Sequence, residues 1–278
     1  MALKTPNELL EVFDKATKKR KETIANNAGF STADEYREHI ASKVVLPSEN
    51  GLDMVIAFDT TGSMSSYISD VKRKVSEMTS SLFKNSPNLR IGVVAFGDYC
   101  DMQSVVGGKF GKAYQVLPPT NDEVAIQNFI RNAQNTSGGD GDEFYELVIK
   151  KVVRETQWRE GVKKSLFLIG DADPHGDSYR YDGVNHTVNW EDEVRNAASN
   201  QIQIDTLNIT GRTFYKKVSE LTDGVCMHYK KSQNISTIVE GLTYARTNVD
   251  AFTTSMRSAE ASGDSELIGA YKSMTKLL

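Results

Sequence analysis

The stretch MVIAFDTTGSMSSYI, residues 54–68, decides the fold. A run of β-formers meets Asp59, followed by Thr60, Thr61, Gly62 and Ser63. Beyond the loop, Ile68, Val71, Val75, Met78 and Leu82 fall on one face of a helix. The pattern is strand, polar loop, helix, with a carboxylate and three hydroxyls at the strand's exit.

Four segments share the strand's character: DMVIAF (53–58), LRIGVVAF (89–96), SLFLIG (165–170) and IQIDTLNI (202–209). Their apolar residues are successive rather than alternating, as in strands covered on both faces of a parallel sheet. Helical patterns lie between them, at 65–83, 121–134 and 142–158. Strands alternating with helices predict a doubly wound, mostly parallel, Rossmann-like α/β sheet.

Helices are expected at both ends. Thr5, Pro6 and Glu8 mark the start of a helix over 5–26, and Thr32 with Glu35 forms a second capping box. LPSENG (46–51) reads as a linker. In the tail, Ile235, Ile238, Leu242, Val249, Phe252 and Met256 keep helical spacing, and SGDS (262–265) interrupts it. The expected organisation is a helical appendage over 1–50, an α/β domain over 51–245 and a helical extension over 246–278 that packs near the N-terminal helices.

Composition narrows the function. The net charge of −4 and the absence of a basic stripe argue against nucleic acid as the main partner. KATKKRKE (15–22) reads as a solvated helix face. Cys100 and Cys226 lie far apart without zinc-ligand spacing. Two free thiols in a reducing compartment are expected, with one disulfide as the alternative. There is no apolar run of about 18 residues and no apolar leader, so no membrane is expected and the chain reads as cytoplasmic.

Three kinds of site place an Asp and small hydroxyls at a strand exit. An aspartic protease needs an Asp-Thr/Ser-Gly turn supplied twice. Here an extra Thr separates Asp59 from Gly62, and no second copy exists. A phosphatase with an aspartyl nucleophile has its general acid two residues on, where this chain has Thr61. The third kind is a metal site. Asp59, Thr61 and Ser63 alternate along the loop, and their oxygens suit a hard cation such as Mg²⁺. The end of a central parallel strand is also where open α/β sheets bind ligands.

DTTGS resembles the Asp-x-Ser/Thr-x-Ser motif of von Willebrand factor type A (VWA) domains, their metal-ion-dependent adhesion site. SLFLIGDADPHG (165–176) resembles the later strand that ends in the family's second metal-site Asp, which maps to Asp171. TSGGDGDEFYELV (136–148) resembles the intervening Gly-rich loop, which in many members gives a Thr to the metal; the matching residue here is Asp140. The variant is similar to the branch found with α-kinases and in uncharacterised bacterial and phage proteins. That branch commonly has Pro where this chain has Asp142 and Asp173, and Arg where it has Gly97. The resemblance covers about residues 50–245.

It implies a VWA fold and a metal set of Asp59, Thr61, Ser63, Asp140 and Asp171 holding Mg²⁺, or Mn²⁺ or Ca²⁺. A site with few direct carboxylates leaves the cation electrophilic. It then takes a sixth ligand from a partner protein's Asp or Glu. Asp140 would weaken that pull if it bound directly. It could instead bind a metal water or cap the next helix.

The loops on the same sheet edge add Asp98, Asp101, Asp142, Glu143, Asp173 and Asp177. Asp142 and Glu143 read mainly as helix caps, with a second cation or a basic partner surface as the alternative. Asp98, Asp142, Asp173 and His175 are the partner-binding candidates. His175 could ligate a softer metal, although a lone His beside Pro and Gly is more often a loop hydrogen-bonding residue. His186, Trp190, Tyr179, Arg180 and Tyr181 are contact or packing candidates.

The expectation is a non-enzymatic, cation-dependent protein-binding module serving interaction or assembly, with an oligomer through the terminal helices as a further option. Two alternatives remain. One is a hydrolase or nuclease using the acidic rim, which needs two cations about 4 Å apart. The other is a structural phage or virion component with a vestigial metal site.

Overall fold

The computed structural model describes residues 12–28, 30–43, 51–104, 107–186 and 188–278. Thr5, Pro6, Glu8 and the linker over 46–50 lie outside the described residues. The chain divides into two units, 1–47 and 48–278.

In the first unit, helices α1 (Lys18–Asn27) and α2 (Ala33–Lys43) follow a short helical piece. The continuous helix expected to residue 26 is interrupted, because Thr17 is extended and starts α1 afresh. The capping box at α2 is present: Thr32 Oγ1 accepts the Glu35 N–H at 3.1 Å, and Glu35 accepts the Thr32 N–H at 3.2 Å. Phe13 is buried against Tyr36, with ring centroids 5.3 Å apart. Lys18, Lys19 and Arg20 are exposed, as a solvated face should be.

In the second unit, β1 (Gly51–Asp59) is the central strand of six. After it come α3 (Ser65–Asn85), β2 (Asn88–Phe96), β3 (Tyr114–Thr120), α4 (Glu123–Asn132), β4 (Asp142–Glu143), α5 (Tyr145–Glu155), β5 (Lys163–Gly170) and β6 (Asp173–Pro174). The chain then forms β7 (Arg180–Tyr181), β8 (Val184–Asn185), α6 (Trp190–Ser199), β9 (Ile202–Asn208), α7 (Thr213–Leu221), β10 (Cys226–His228), α8 (Ile235–Thr247), α9 (Val249–Ser262) and α10 (Ser265–Met274). The sheet order is β10-β9-β5-β1-β2-β3, and only β3 is antiparallel. The predicted doubly wound sheet is what the chain builds.

The side-chain period of a strand explains the unbroken apolar run of β1. Leu52, Met54, Ile56 and Phe58 enter the core under α3, α4 and α8. Val55 and Ala57 enter the other core, under α5, α6 and α7. After β1 the chain moves to β2 on one side, and β5 later pairs with β1 on the other. The end of β1 is therefore the point where the topology switches, and Asp59 is its last residue.

The tail has a role inside the fold. Phe252, Ala259, Leu267, Tyr271 and Met274 are buried in the core shared with α3 and α8, and the Tyr271 hydroxyl donates to the Thr237 carbonyl at 3.0 Å. Much of the apolar length of these helices is thus used within the unit.

One ion pair fastens α8 to the sheet. Asp205, mid-strand in β9, accepts from Arg246 Nη2 at 2.7 and 2.6 Å, from Ser165 Oγ at 2.7 Å and from the Val225 N–H at 2.9 Å. Both charged side chains are buried. Arg246→Ala would strand the carboxylate, and we expect a loss of about 3–5 kcal/mol in urea unfolding. The apolar double variant Asp205→Leu/Arg246→Met should cost much less, because no charge is then left buried and alone.

Candidate metal centre

Asp59 is 0 % exposed. Its Oδ1 accepts both the Thr61 N–H and the Thr61 hydroxyl at 2.7 Å, and its Oδ2 accepts the Tyr145 hydroxyl at 2.9 Å. Thr60 points the other way: its hydroxyl donates to the Phe96 carbonyl at 2.7 Å and meets the Thr136 hydroxyl at 2.9 Å. That anchor turns Thr61 toward Ser63, with 3.4 Å between the two hydroxyl oxygens. Ser63 is exposed. Three oxygen-bearing side chains are thus gathered at the strand exit before α3 begins.

Tyr145 reaches Asp59 through a gap at the end of β5. A Cβ on Gly170 would collide with the Tyr145 hydroxyl, so the strand needs glycine there. Asp171, the next residue, is half-buried and is held by a hydrogen bond of 2.6 Å from Thr210 Oγ1 to its backbone carbonyl. Burial pushes the Asp59 carboxyl up to about 6 despite the Thr61 and Tyr145 hydrogen bonds, and the Asp171 charge adds to the rise. Two carboxylates that raise one another's cost are relieved by a cation.

The Gly-rich loop brings a further carboxylate to the strand exit. Glu143 is 5 % exposed, and its Oε2 has no hydrogen-bond partner among the described residues. Burial and the charges of Asp59, Asp98, Asp101 and Asp140 push its carboxyl up to about 9. Gly138, at φ +66°, explains its place. A Cβ there would sit 2.8 Å from Glu143 Oε1 and 3.4 Å from Thr61 Cγ2, so Glu143 comes in beside Thr61 through a glycine-shaped gap. Asp140 is exposed, and the described hydrogen bonds tie it elsewhere: Oδ1 accepts the Asp142 N–H at 3.0 Å, and Oδ2 accepts the Tyr179 hydroxyl at 3.2 Å.

Helix capping does not account for these acids. The α5 helix starts at Tyr145 behind Phe144, which makes no side-chain cap. Asp142 and Glu143 instead form β4, parallel to β6, with Asp142 opposite Asp173 and Glu143 opposite Pro174. Strand alternation then sends Asp142 and Glu143 to opposite sides. Asp142 stays half-buried, with its carboxyl raised by burial, while Asp173 pairs with Arg212 at 3.0 Å.

Two of the expected contact residues are inside the protein. Asp98 is 0 % and His175 3 % exposed, and His175 Nε2 lies 2.6 Å from Asp98 Oδ1. Burial alone would lower the imidazole's pKa, but the Asp98 carboxylate outweighs it and holds the ring above its ordinary range. The Tyr179 ring stacks on His175 at 3.6 Å, and Tyr99 stacks on His186 at 3.8 Å. Trp190 opens α6 and packs edge-on to Phe214. Asp101 acts as a clamp, accepting the Ser137 N–H at 2.8 Å and the Gly138 N–H at 3.2 Å.

The comparisons with known proteins bear on this geometry. The family model for the von Willebrand factor type A domain matches residues 53–243. The chain belongs to the VWA family. Among solved structures, the pilus adhesin SpaC from Lactobacillus rhamnosus GG is similar at a TM-score of 0.51 and 12 % identity; the match covers 74 % of this chain and 31 % of the adhesin, so this chain spans about a third of its length. BatB, a conserved hypothetical protein from Bacteroides thetaiotaomicron, is similar at a TM-score of 0.46 and 15 % identity over 74 % of this chain and 100 % of BatB. At such identities the likeness is one of fold. No curated protein matches the sequence. Domains of this family often bind a divalent metal and often serve interaction or adhesion. Among the described residues, no helix is long and apolar enough to cross a membrane, and both cysteines are free.

A VWA site of this form depends on its close approaches. Gly170→Ala should cost about 1–3 kcal/mol in chemical unfolding, because the methyl group displaces the Tyr145 hydroxyl. Gly62→Ala, where a Cβ meets nothing within 4 Å, should stay within about 0.5 kcal/mol of wild type.

Proposed function

We propose that this chain is a divalent-cation-dependent protein-binding module whose site is Asp59, Thr61, Ser63 and Asp171, with Glu143 beside it. The observation that carries the reading is the fully buried Asp59 carboxylate. It is already oriented by Thr61 and Tyr145, and it lies within electrostatic reach of Asp171 and of Glu143, whose Oε2 has no hydrogen-bond partner among the described residues. Oxygen donors alone suit Mg²⁺, Mn²⁺ or Ca²⁺. When bound, the cation would supply a Lewis-acidic position for an acidic side chain of a partner protein. Thr61 and Ser63 contribute no charge, which keeps that position attractive. Glu143 takes the part expected of Asp140: its charge sets how much of the cation's pull remains for the partner. The role is binding without turnover, and we place it in the cytoplasm, in keeping with two free thiols.

Calorimetric titration of chelator-treated protein with Mg²⁺, Mn²⁺ and Ca²⁺ tests the site. Saturable binding is expected, weakened at least about 100-fold in Asp59→Ala, since even outer-shell changes cost about 10–100-fold. Glu143→Gln should weaken cation binding yet raise the cation-dependent capture of an Asp- or Glu-bearing peptide. Equal binding by wild type and Asp59→Ala, with the fold intact, would remove the reading.

A further inference from the structure

We propose that Asp98, Asp140 and His175 form a second cation site, separate from the Asp59 loop, that takes a borderline divalent ion such as Zn²⁺. The three residues come from separate segments: the turn after β2, the loop before β4, and the turn after β6. The fold nevertheless brings one ligand atom of each within 4.8 Å of the others. Chain-distant residues converge this closely only because the β4–β6 ladder lays the Gly-rich loop along the Asp171–Gly176 loop.

The group is more than a cluster of surface acids. Asp98 is fully buried, and its Oδ2 has no hydrogen-bond partner among the described residues. Glu143, also buried and also without a partner at Oε2, is within electrostatic reach of Asp98 and Asp140. A buried carboxylate oxygen without a donor costs free energy that a bound cation recovers. His175 supplies a nitrogen donor, which the Asp59 loop lacks. Imidazole selects for Zn²⁺ over Mg²⁺, Mn²⁺ and Ca²⁺.

The ligands are also held in place by their neighbours, as those of metal sites are. The His175 ring is stacked on Tyr179 at an interplanar angle of 21°, and the His175 backbone N–H donates to Glu146 Oε2 at 3.2 Å, which fixes the loop that carries the ring. Glu146 is fixed in turn by the Tyr99 hydroxyl at 2.8 Å. The Tyr179 hydroxyl donates to Asp140 Oδ2, so one residue orients two of the ligands. The 2.6 Å contact between His175 Nε2 and Asp98 Oδ1 holds a proton now; the cation takes its place. Asp140 is the exposed member, and the ion enters from its side.

The site stands or falls separately from the adhesion-type reading. Chelator-stripped protein would be dialysed against Zn²⁺ and the bound metal counted, with Co²⁺ absorption as a second readout of nitrogen ligation. With Mg²⁺ present in excess to fill the oxygen-only site, wild type and Asp59→Ala should each bind one Zn²⁺ per chain, and His175→Gln none. The Co²⁺ band should survive in Asp59→Ala and vanish in His175→Gln. Asp140→Asn, at an exposed position that leaves the fold intact, should weaken the His-dependent ion about 10-fold or more. Unchanged metal content and an unchanged Co²⁺ band in both His175→Gln and Asp140→Asn would overturn the proposal. If His175→Gln unfolds, Asp140→Asn alone decides. Loss of the Zn²⁺ ion in these variants with none lost in Asp59→Ala would uphold this site, while the Mg²⁺, Mn²⁺ and Ca²⁺ titration decides the adhesion-type one.

Discussion

Carboxylates buried where a parallel sheet ends are the constraint on which this molecule turns. Asp59, Asp98 and Glu143 are all removed from solvent, and among the described residues Asp98 Oδ2 and Glu143 Oε2 have no donor. Water normally carries that charge, and here it is largely shut out. A folded chain resolves such a conflict by protonation, by pairing or by taking up a cation. Asp98 pairs with His175, Asp59 is hydrogen-bonded by Thr61 and Tyr145, and Glu143 is left without a protein donor at Oε2. That gradation, from paired to orphaned, points to divalent ions.

The scaffold is arranged to make the burial bearable. Two cores hold β1 from both sides, so its final residue emerges at a fixed place. Glycine at 170 lets a tyrosine through to Asp59, and glycine at 138 lets Glu143 in beside Thr61. Asp101 ties the Gly-rich loop by two backbone N–H groups. The short β4–β6 ladder aligns that loop with the loop carrying Asp171 and His175. None of these contacts stabilises the protein much alone. Together they fix charged groups that would otherwise move apart.

The sequence made the strand–loop–helix unit, the parallel sheet and the Asp59-Thr61-Ser63 set legible, because each is local in the chain. Period-two burial shows in an apolar run, and alternating oxygens show in five residues. The place of Glu143 was not legible. It depends on β4, a two-residue strand, pairing with β6 some thirty positions later, and a following helical pattern made a cap the natural reading. The Asp98–His175 pair spans 77 positions and leaves no local trace. Loop position was the only guide to Asp140, whose hydrogen bonds to the Asp142 N–H and the Tyr179 hydroxyl follow from the folded loops. The tail's packing on α8 and β10 joins segments whose apolar spacing shows a helix face but not the face it meets.

Crystals grown with Mn²⁺ and measured at the manganese edge would show whether the end of β1 holds a cation. An anomalous peak is expected in contact with Asp59, Thr61 or Ser63, with Glu143 turned toward it. The absence of a peak there, with Glu143 hydrogen-bonded as a neutral acid, would contradict a cation site at the end of β1.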